Sequence, residues 1–450
     1  MEKSAIIVGA GLVGSLWAVY LSKAGYKVTI YERREDIRDA EISAGKSINL
    51  ALSNRGWKAL KKVGVELEIE KIAIPMTGRI MHAIDGETTY QPYGKEGQAI
   101  YSVSRAGINA KMMDIAEEYG NAKIHYNTPC IDVDTEAGIV YLENTLTGEK
   151  FQDQADVVFA ADGAFSAVRY NGLQKLDRFD YSQDYIDDGY RELLLPANPD
   201  GSYMLDKNAL HIWPRGRFML IALANEDGSF TCTLFMPFEG ENSFEKLKTD
   251  TDVENFFKST FPDFYNLHPD LIGSWKSHPL SSLAIIRCYP WTHGKVALMG
   301  DAAHATVPFY GQGMNCGFED CTVLSELMEK YHEDWPKVFA EYQVLRKPDG
   351  DAVQDLSLHN YHVMRDYVAD PAFLLQKKIE KRMSELYPEQ WIPLYSQVTF
   401  SEIRYSDALK QGLKQDEIMK KVMQREDIEQ MWDSKEVEDS ILAELGAIKS

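Results

Sequence analysis

Positive charge is in short supply: 48 lysines and arginines stand against 69 aspartates and glutamates in 450 residues, a formal charge of −21. Nucleic acid or an anionic membrane surface would be repelled, so neither is expected as a partner. Cysteine is scarce as well. The five (Cys130, Cys232, Cys288, Cys316, Cys321) are scattered and odd in number, with no CxxC and no Cys/His pattern. That argues against a disulfide framework or a metal site and for reduced thiols in a cytoplasmic protein. No apolar run is long enough to cross a bilayer. Repeats and low-complexity linkers are absent, and the chain enters an apolar strand almost at once, so no signal peptide is expected. Core material is plentiful, at 44% hydrophobic and 11% aromatic residues. The length exceeds one ordinary core, which points to two joined domains.

The first ten residues of that strand and its sequel carry the most information. Ala5-Ile6-Ile7-Val8 reads as a buried strand, and Gly9-Ala10-Gly11-Leu12-Val13-Gly14 completes a GxGxxG. Gly9 permits a tight turn, Gly11 lets backbone approach a diphosphate, and Gly14 lets the next helix pack on the sheet. Leu12, Val13, Leu16, Trp17, Tyr20 and Leu21 recur at helical spacing until Gly25. A second strand, Val28-Thr29-Ile30-Tyr31, ends at Glu32, placed to accept hydrogen bonds from an adenosine ribose. An alternative occupant is NADP, with Arg33 and Arg34 meeting its 2′-phosphate. Glu32 would repel that phosphate, so FAD is preferred, with Arg33 beside it.

Two more strands end in a glycine–acid pair. Ala155 to Ala161 leads into Asp162-Gly163 and a short helix carrying Arg169, and Lys295 to Met299 leads into Gly300-Asp301. Such carboxylates hold ribose or ribityl hydroxyls, and aspartate equally suits a helix N-cap. Gly313-Met314-Asn315 opens a further helix, whose free amides would face a flavin ring. In this order the motifs resemble those of the single-component flavin-dependent aromatic hydroxylases.

The resemblance implies an α/β (α+β) fold: a Rossmann-like FAD-binding domain, an inserted antiparallel-sheet substrate domain and a C-terminal helical region. The FAD unit is expected from 1–71, 100–179 and 280–330, the substrate unit from 72–99 and 180–279, and the helical region from 331–450. Leu210 to Pro214, Phe218 to Leu223 and Phe230 to Pro237 read as strands of the substrate unit, and 406–450 reads as acidic helix. The resemblance also implies tightly bound FAD, transient NADPH, dioxygen as oxidant and chemistry through a flavin C4a-hydroperoxide. Only one dinucleotide fingerprint is present, so NADPH should visit without a Rossmann unit of its own. Arg105 would touch the cofactor by resemblance, although a surface salt bridge suits it equally.

Within that family, Gly78-Arg79-Ile80-Met81-His82, Gln91-Pro92-Tyr93-Gly94, Val307 to Asn315, Leu358-His359-Asn360-Tyr361 and Pro393 to Phe400 are similar to members that hydroxylate an arylamine bearing an amino-acid side chain. A planar guanidinium pairs bidentately with a carboxylate, which makes Arg79 the natural anchor. By resemblance, Tyr93, Asn360 and Tyr395 add contacts at the amino-acid end, and Phe235, Pro308 and Phe309 form walls around the ring. Ordinary core packing is the competing reading for the aromatics, and a bond to nearby backbone for Asn360. No acid or base is assigned: the ring nitrogen already activates the adjacent carbon, and His304 is taken as structural. Animal members carry a hydrophobic, membrane-anchoring C-terminus, whereas Glu436 to Leu445 here is too charged to insert. No membrane anchor is expected, and a homodimer is compatible with these features. A salicylate-like acid as substrate, or a flavin redox sensor without turnover, are the alternatives.

Overall fold

A computed structural model describes residues 3–39, 49–93, 97–363 and 371–447. Gly94 and the last three residues of the expected helical region lie outside them.

A six-stranded sheet runs in the order Thr292–His293, Val296–Leu298, Val157–Ala160, Ser4–Val8, Lys27–Tyr31, Ala122–His125. It is parallel apart from the short Thr292–His293 edge. Ile7 lies between Ile30 and Phe159, and Ile6, Ile7, Val157, Val158 and Phe159 are all fully buried. Helices cover both faces of such a sheet, which is why these strands read as continuous apolar runs. Helix Leu12–Lys23 is buried from Gly14 to Ser22 and packs against helices Arg105–Glu118 and Gly313–Lys330.

A seven-stranded sheet has the order Ser281–Tyr289, Asp180–Leu195, Phe230–Pro237, Met219–Ala224, Ala209–Pro214, Gly78–His82, Thr88–Pro92. Two features depart from expectation. Ser281–Tyr289, expected with the nucleotide unit, is an edge strand of this sheet, paired antiparallel to Asp180–Leu195. The sheet is also not wholly antiparallel, because Gly78–His82 joins Ala209–Pro214 in parallel. No hairpin links those two strands, so nothing forces them to oppose.

The central strands of the sheet are buried on both faces, and alternation along them sorts the side chains. Leu220, Ala222 and Ala224 pack with Leu234, Phe257, Phe264 and Trp275 beneath helices Asp250–Thr260, Pro262–Leu267 and Leu271–Ser277. Met219 and Ile221 point the other way, with Phe235, towards Val307, Phe309 and Tyr361. Leu223 lies against Tyr93. The 406–450 tail is helical where described, in Tyr405–Met423, Ile428–Met431 and Lys435–Ala447. It builds a separate small core around Trp391, Ile418, Met419 and Ile441. All five cysteines are free and buried.

Candidate functional site

The glycine and acid motifs converge because each follows a strand of the same parallel sheet and therefore emerges at its carboxyl edge. Gly9 has φ +101°, and a Cβ there would lie 2.6 Å from the Ala161 carbonyl oxygen. Only glycine fits that turn. A Cβ at Gly11 would meet nothing within 4 Å, so the protein leaves space there, in front of the first turn of Leu12–Lys23. No side chain caps that turn, which leaves its first amides free for an anion. Glu32 accepts from the Ala10 N–H at 2.9 Å and the Arg34 N–H at 3.0 Å, which fixes its carboxylate beside the glycine turn. Arg33 is exposed.

Asp162 does cap a helix, accepting from the Ala167 N–H at 2.7 Å. Its other oxygen, Oδ1, is buried without a partner, and burial raises its carboxyl above the ordinary range. Capping and an outstanding acceptor therefore coexist. Gly300 has φ +57°, and a Cβ would come within 2.9 Å of Val13 Cγ2. The Val13 side chain is thus a packing wedge, and only the main chain of Leu12 and Val13 faces the opening. Asp301, the first residue of Asp301–His304, is exposed. Arg105 begins Arg105–Glu118 and is exposed, with no ion pair among the described residues; the salt bridge considered for it is not seen.

Gly313 begins helix Gly313–Lys330, again with no side-chain cap. Met314 is buried in the main core. Asn315 spends its carboxamide inside the protein: Oδ1 accepts from the Ser53 N–H at 2.9 Å, and Nδ2 donates to the carbonyls of Ala51 at 2.8 Å and Gly311 at 3.0 Å. Its side chain ties strand Asn49–Leu52 to the helix, leaving its main chain for a ligand. His304 is buried with Nε2 2.7 Å from Asp320 Oδ2, and Asp320 also accepts from the Gly300 N–H and from Arg346. That is a structural station, away from any open cleft.

The open space at Gly11, the unpartnered Asp162 Oδ1, the buried unpartnered Thr306 Oγ1 and the unpaired Arg105 suit a dinucleotide carrying a polar ring system. Thr306 was missed in the sequence. A threonine in an apolar stretch carries no signal until its hydroxyl is seen without a partner.

Across the seven-stranded sheet lies the second half of the site. The Arg79 guanidinium sits 4.6 Å from the Tyr395 ring centre and 5.2 Å from that of Tyr93. Tyr93 and Tyr395 are stacked at 5.6 Å and 13°, and Tyr310 stacks on the other side of Tyr395 at 5.6 Å and 23°. Phe400 closes the box, 6.0 Å from both Tyr93 and Tyr395. Arg79 Nε and the Tyr93 hydroxyl are buried without hydrogen-bond partners, and no carboxylate pairs with Arg79 among the described residues. Burial pushes the Tyr93 and Tyr310 phenols well up, so both are neutral at pH 7.

Apolar walls follow. Phe235 and Phe309 lie 5.1 Å apart, and Phe309 packs on Tyr361 at 4.6 Å. Pro308 opens the short turn Pro308–Tyr310 that carries Phe309. Asn360 Nδ2 donates to the Phe309 carbonyl at 2.6 Å, the backbone role weighed for it above. Ile221 touches both the Tyr93 cluster and the Phe309 cluster, so the cationic end and the aromatic end share one floor. Four residues separate Leu223, near Tyr93, from Met219, near Phe309, about 13 Å of strand. An elongated ligand with an anion at one end and a ring at the other matches that span.

Residues 2–357 match a family model described as FAD binding domain. A kynurenine 3-monooxygenase from Flavobacterium johnsoniae is 52% identical over 437 residues, 97% of each chain. The chain belongs to the kynurenine 3-monooxygenase family. A member from Sus scrofa is 45% identical over 411 residues, covering 90% of this chain and 86% of that one. In fold, 2-methyl-3-hydroxypyridine-5-carboxylic acid oxygenase superposes with a TM-score of 0.66 at 22% identity, covering 83% of this chain and 95% of the other. As a member of the kynurenine 3-monooxygenase family, the protein is an FAD-dependent flavoprotein monooxygenase. No described helix is long and apolar enough to cross a membrane.

Proposed function

We propose that this protein converts L-kynurenine to 3-hydroxy-L-kynurenine with NADPH and dioxygen. One oxygen atom replaces a ring hydrogen as hydroxyl, and the other leaves as water with the two electrons of NADPH. The observation that carries this reading is the half-buried Arg79 guanidinium, boxed by Tyr93 and Tyr395, its Nε buried without a partner and no carboxylate paired with it among the described residues. Withdrawing a cation from water without a partner is costly, and a substrate carboxylate removes that cost.

On this reading Arg79 pairs with the amino-acid carboxylate, and Tyr93 and Tyr395 donate neutral phenols beside it. Phe235, Pro308 and Phe309 flank the ring, with Asn360 holding the Phe309 carbonyl. FAD, when bound, accepts the hydride and activates dioxygen. Its pyrophosphate would lie at Gly9, Gly11, Leu12, Val13 and Gly14, its ribose at Glu32 near Arg33, and its remaining polar groups at Arg105, Asp162, Asp301 and the main chain of Gly313, Met314 and Asn315. The protein's own work is to orient the ring and exclude water. The ring carbon beside the amine is already electron-rich, so no side-chain base is required. We further assign cofactor binding to 1–71, 100–179 and 280–330, less the edge strand Ser281–Tyr289. Substrate binding falls to 72–99 and 180–279, and the site is closed by 331–450. Free buried thiols fit a cytoplasmic location.

The test is NADPH oxidation by the flavin-loaded protein, with the product identified by mass. Stimulation by kynurenine and a gain of one oxygen atom support the reading; stimulation only by a phenolic acid sinks it.

A further inference from the structure

One acid, beside a β-bulge, faces the apolar wall of the site. Along Asp180–Leu195 the pairing with Ser281–Tyr289 runs regularly to Tyr185 opposite Ala284, then resumes with Gly189 opposite Ser282. Three residues, 186–188, thus face Leu283 alone, and Asp188 lies in the surplus. The pairing with Phe230–Pro237 stays in register, with Asp188 opposite Pro237. A Cβ on Gly189 would fall 2.6 Å from the Phe238 ring, so the bulge is packed tightly. Asp188 is 1% exposed and accepts from the Tyr361 hydroxyl at 2.5 Å.

Tyr361 sits in the last turn of helix Trp335–His362, with its ring against Phe309. Its neighbour Asn360 grips the Phe309 carbonyl. Asp188, Phe235, Phe309, Met219 and Tyr361 line one small recess. A carboxylate buried among these rings costs free energy, and the phenol that offsets it is thereby held to one rotamer.

We propose that Asp188 and Tyr361 are a positioning pair for the aromatic end of the substrate. The buried carboxylate fixes the Tyr361 ring, Tyr361 and Asn360 fix Phe309, and Phe309 sets where the ring rests. This rests on the reading that Phe235 and Phe309 flank that ring. A ring held loosely is missed by the activated oxygen, and the same two electrons then leave with both oxygen atoms and two protons as hydrogen peroxide. The pair therefore governs how NADPH consumption divides between 3-hydroxykynurenine and peroxide, while the Arg79 end governs affinity.

The experiment compares Tyr361→Phe, Asp188→Asn and the double variant, all flavin-loaded, measuring product and peroxide per NADPH, kynurenine KM, flavin content and melting temperature. The double variant leaves no buried charge and decides the matter if a single variant folds poorly. The expected result is a product-to-NADPH ratio lowered roughly threefold or more, with KM within about twofold and no further loss in the double variant, as for two partners of one bond. A purely structural role would lower the melting temperature and leave the ratio unmoved. Variants that stay fully coupled, in a protein whose parent hydroxylates kynurenine, overturn the pair alone. A parent that leaves kynurenine unhydroxylated overturns the pair together with the function it rests on.

Discussion

Arg79→Ala is the most direct probe of the site, because it separates the two halves of the molecule. Arg79 lies on the substrate sheet, on strand Gly78–His82, while the glycine turns lie on the other sheet. Its guanidinium packs against both the Tyr93 and the Tyr395 rings, so its orientation is already fixed in the free protein and little entropy is lost on pairing. Truncating one partner of a buried charge pair costs about 2–4 kcal/mol, which is about 30- to 700-fold in kynurenine Kd. The free protein should be destabilised little, since among the described residues the lost cation has no ion-pair partner to leave stranded. Arg79→Lys keeps the charge without the fork and should fall between. Titrating kynurenine against the flavin absorption of the holo-protein gives Kd, and the flavin-to-protein absorbance ratio gives cofactor retention. The decarboxylated amine of kynurenine is the control: it should bind parent and Arg79→Ala alike. Kynurenine affinity unchanged within about twofold, against that range, would remove Arg79 from the site. Equal losses for kynurenine and its decarboxylated form would show that the box collapsed instead.

Three further outcomes are expected. Tyr93→Phe should raise kynurenine Kd about ten- to 150-fold, the worth of one hydrogen bond to a charged group, without lowering the melting temperature, because the buried hydroxyl has no hydrogen-bond partner among the described residues; a lower melting temperature with unchanged Kd refutes this. Gly11→Ala meets no protein atom, so the apo-protein should stay as stable while FAD binding weakens by about tenfold or more, since the methyl occupies the space a diphosphate needs; unaltered flavin content refutes it. At the Asp320 station, burial opposes the charges, yet His304 and Arg346 hold the Asp320 carboxyl down at about 2, and Asp320 raises His304 well above its ordinary value. The sign for the acid is that its stabilisation is full above about pH 4 and lost as pH falls towards 2. For the histidine it is full below about pH 6.5 and lost as pH rises through the raised value. Asp320→Ala should cost about 3–5 kcal/mol in chemical denaturation, and a loss under about 1 kcal/mol, the worth of an exposed pair, would show the network to be solvated.

What was legible in the sequence is what sits within a few residues of its own signal. Gly9, Gly11, Glu32, Asp162 and Asp301 each end a strand, so strand and function are read together. The apolar run Met219–Ala224 announced a strand, while the division of its two faces between different neighbours needed the structure. The Arg79 box was legible only through resemblance, because its parts come from strands Gly78–His82 and Thr88–Pro92 and from helix Leu394–Thr399. What the sequence did not announce at Asn315 is the use of its side chain, which stitches Ala51 and Ser53 to a helix 262 residues or more away.

The Asp188–Tyr361 bond lies beyond such reading altogether. Its partners are 173 residues apart, and the alternation that puts Asp188 on the face of Tyr190 and Phe235 does not name the phenol it meets. A pattern-based reading places the acid on a face of the strand, never against a partner from a distant helix. Affinity groups such as Arg79 advertise themselves by residue type, since few side chains bind a carboxylate well. Groups that hold a wall in place carry no type signature, because any buried hydrogen bond of the right length serves. The division between what is legible and what is not therefore follows the division between binding the substrate and aiming it, and only the second needs the folded chain to be seen.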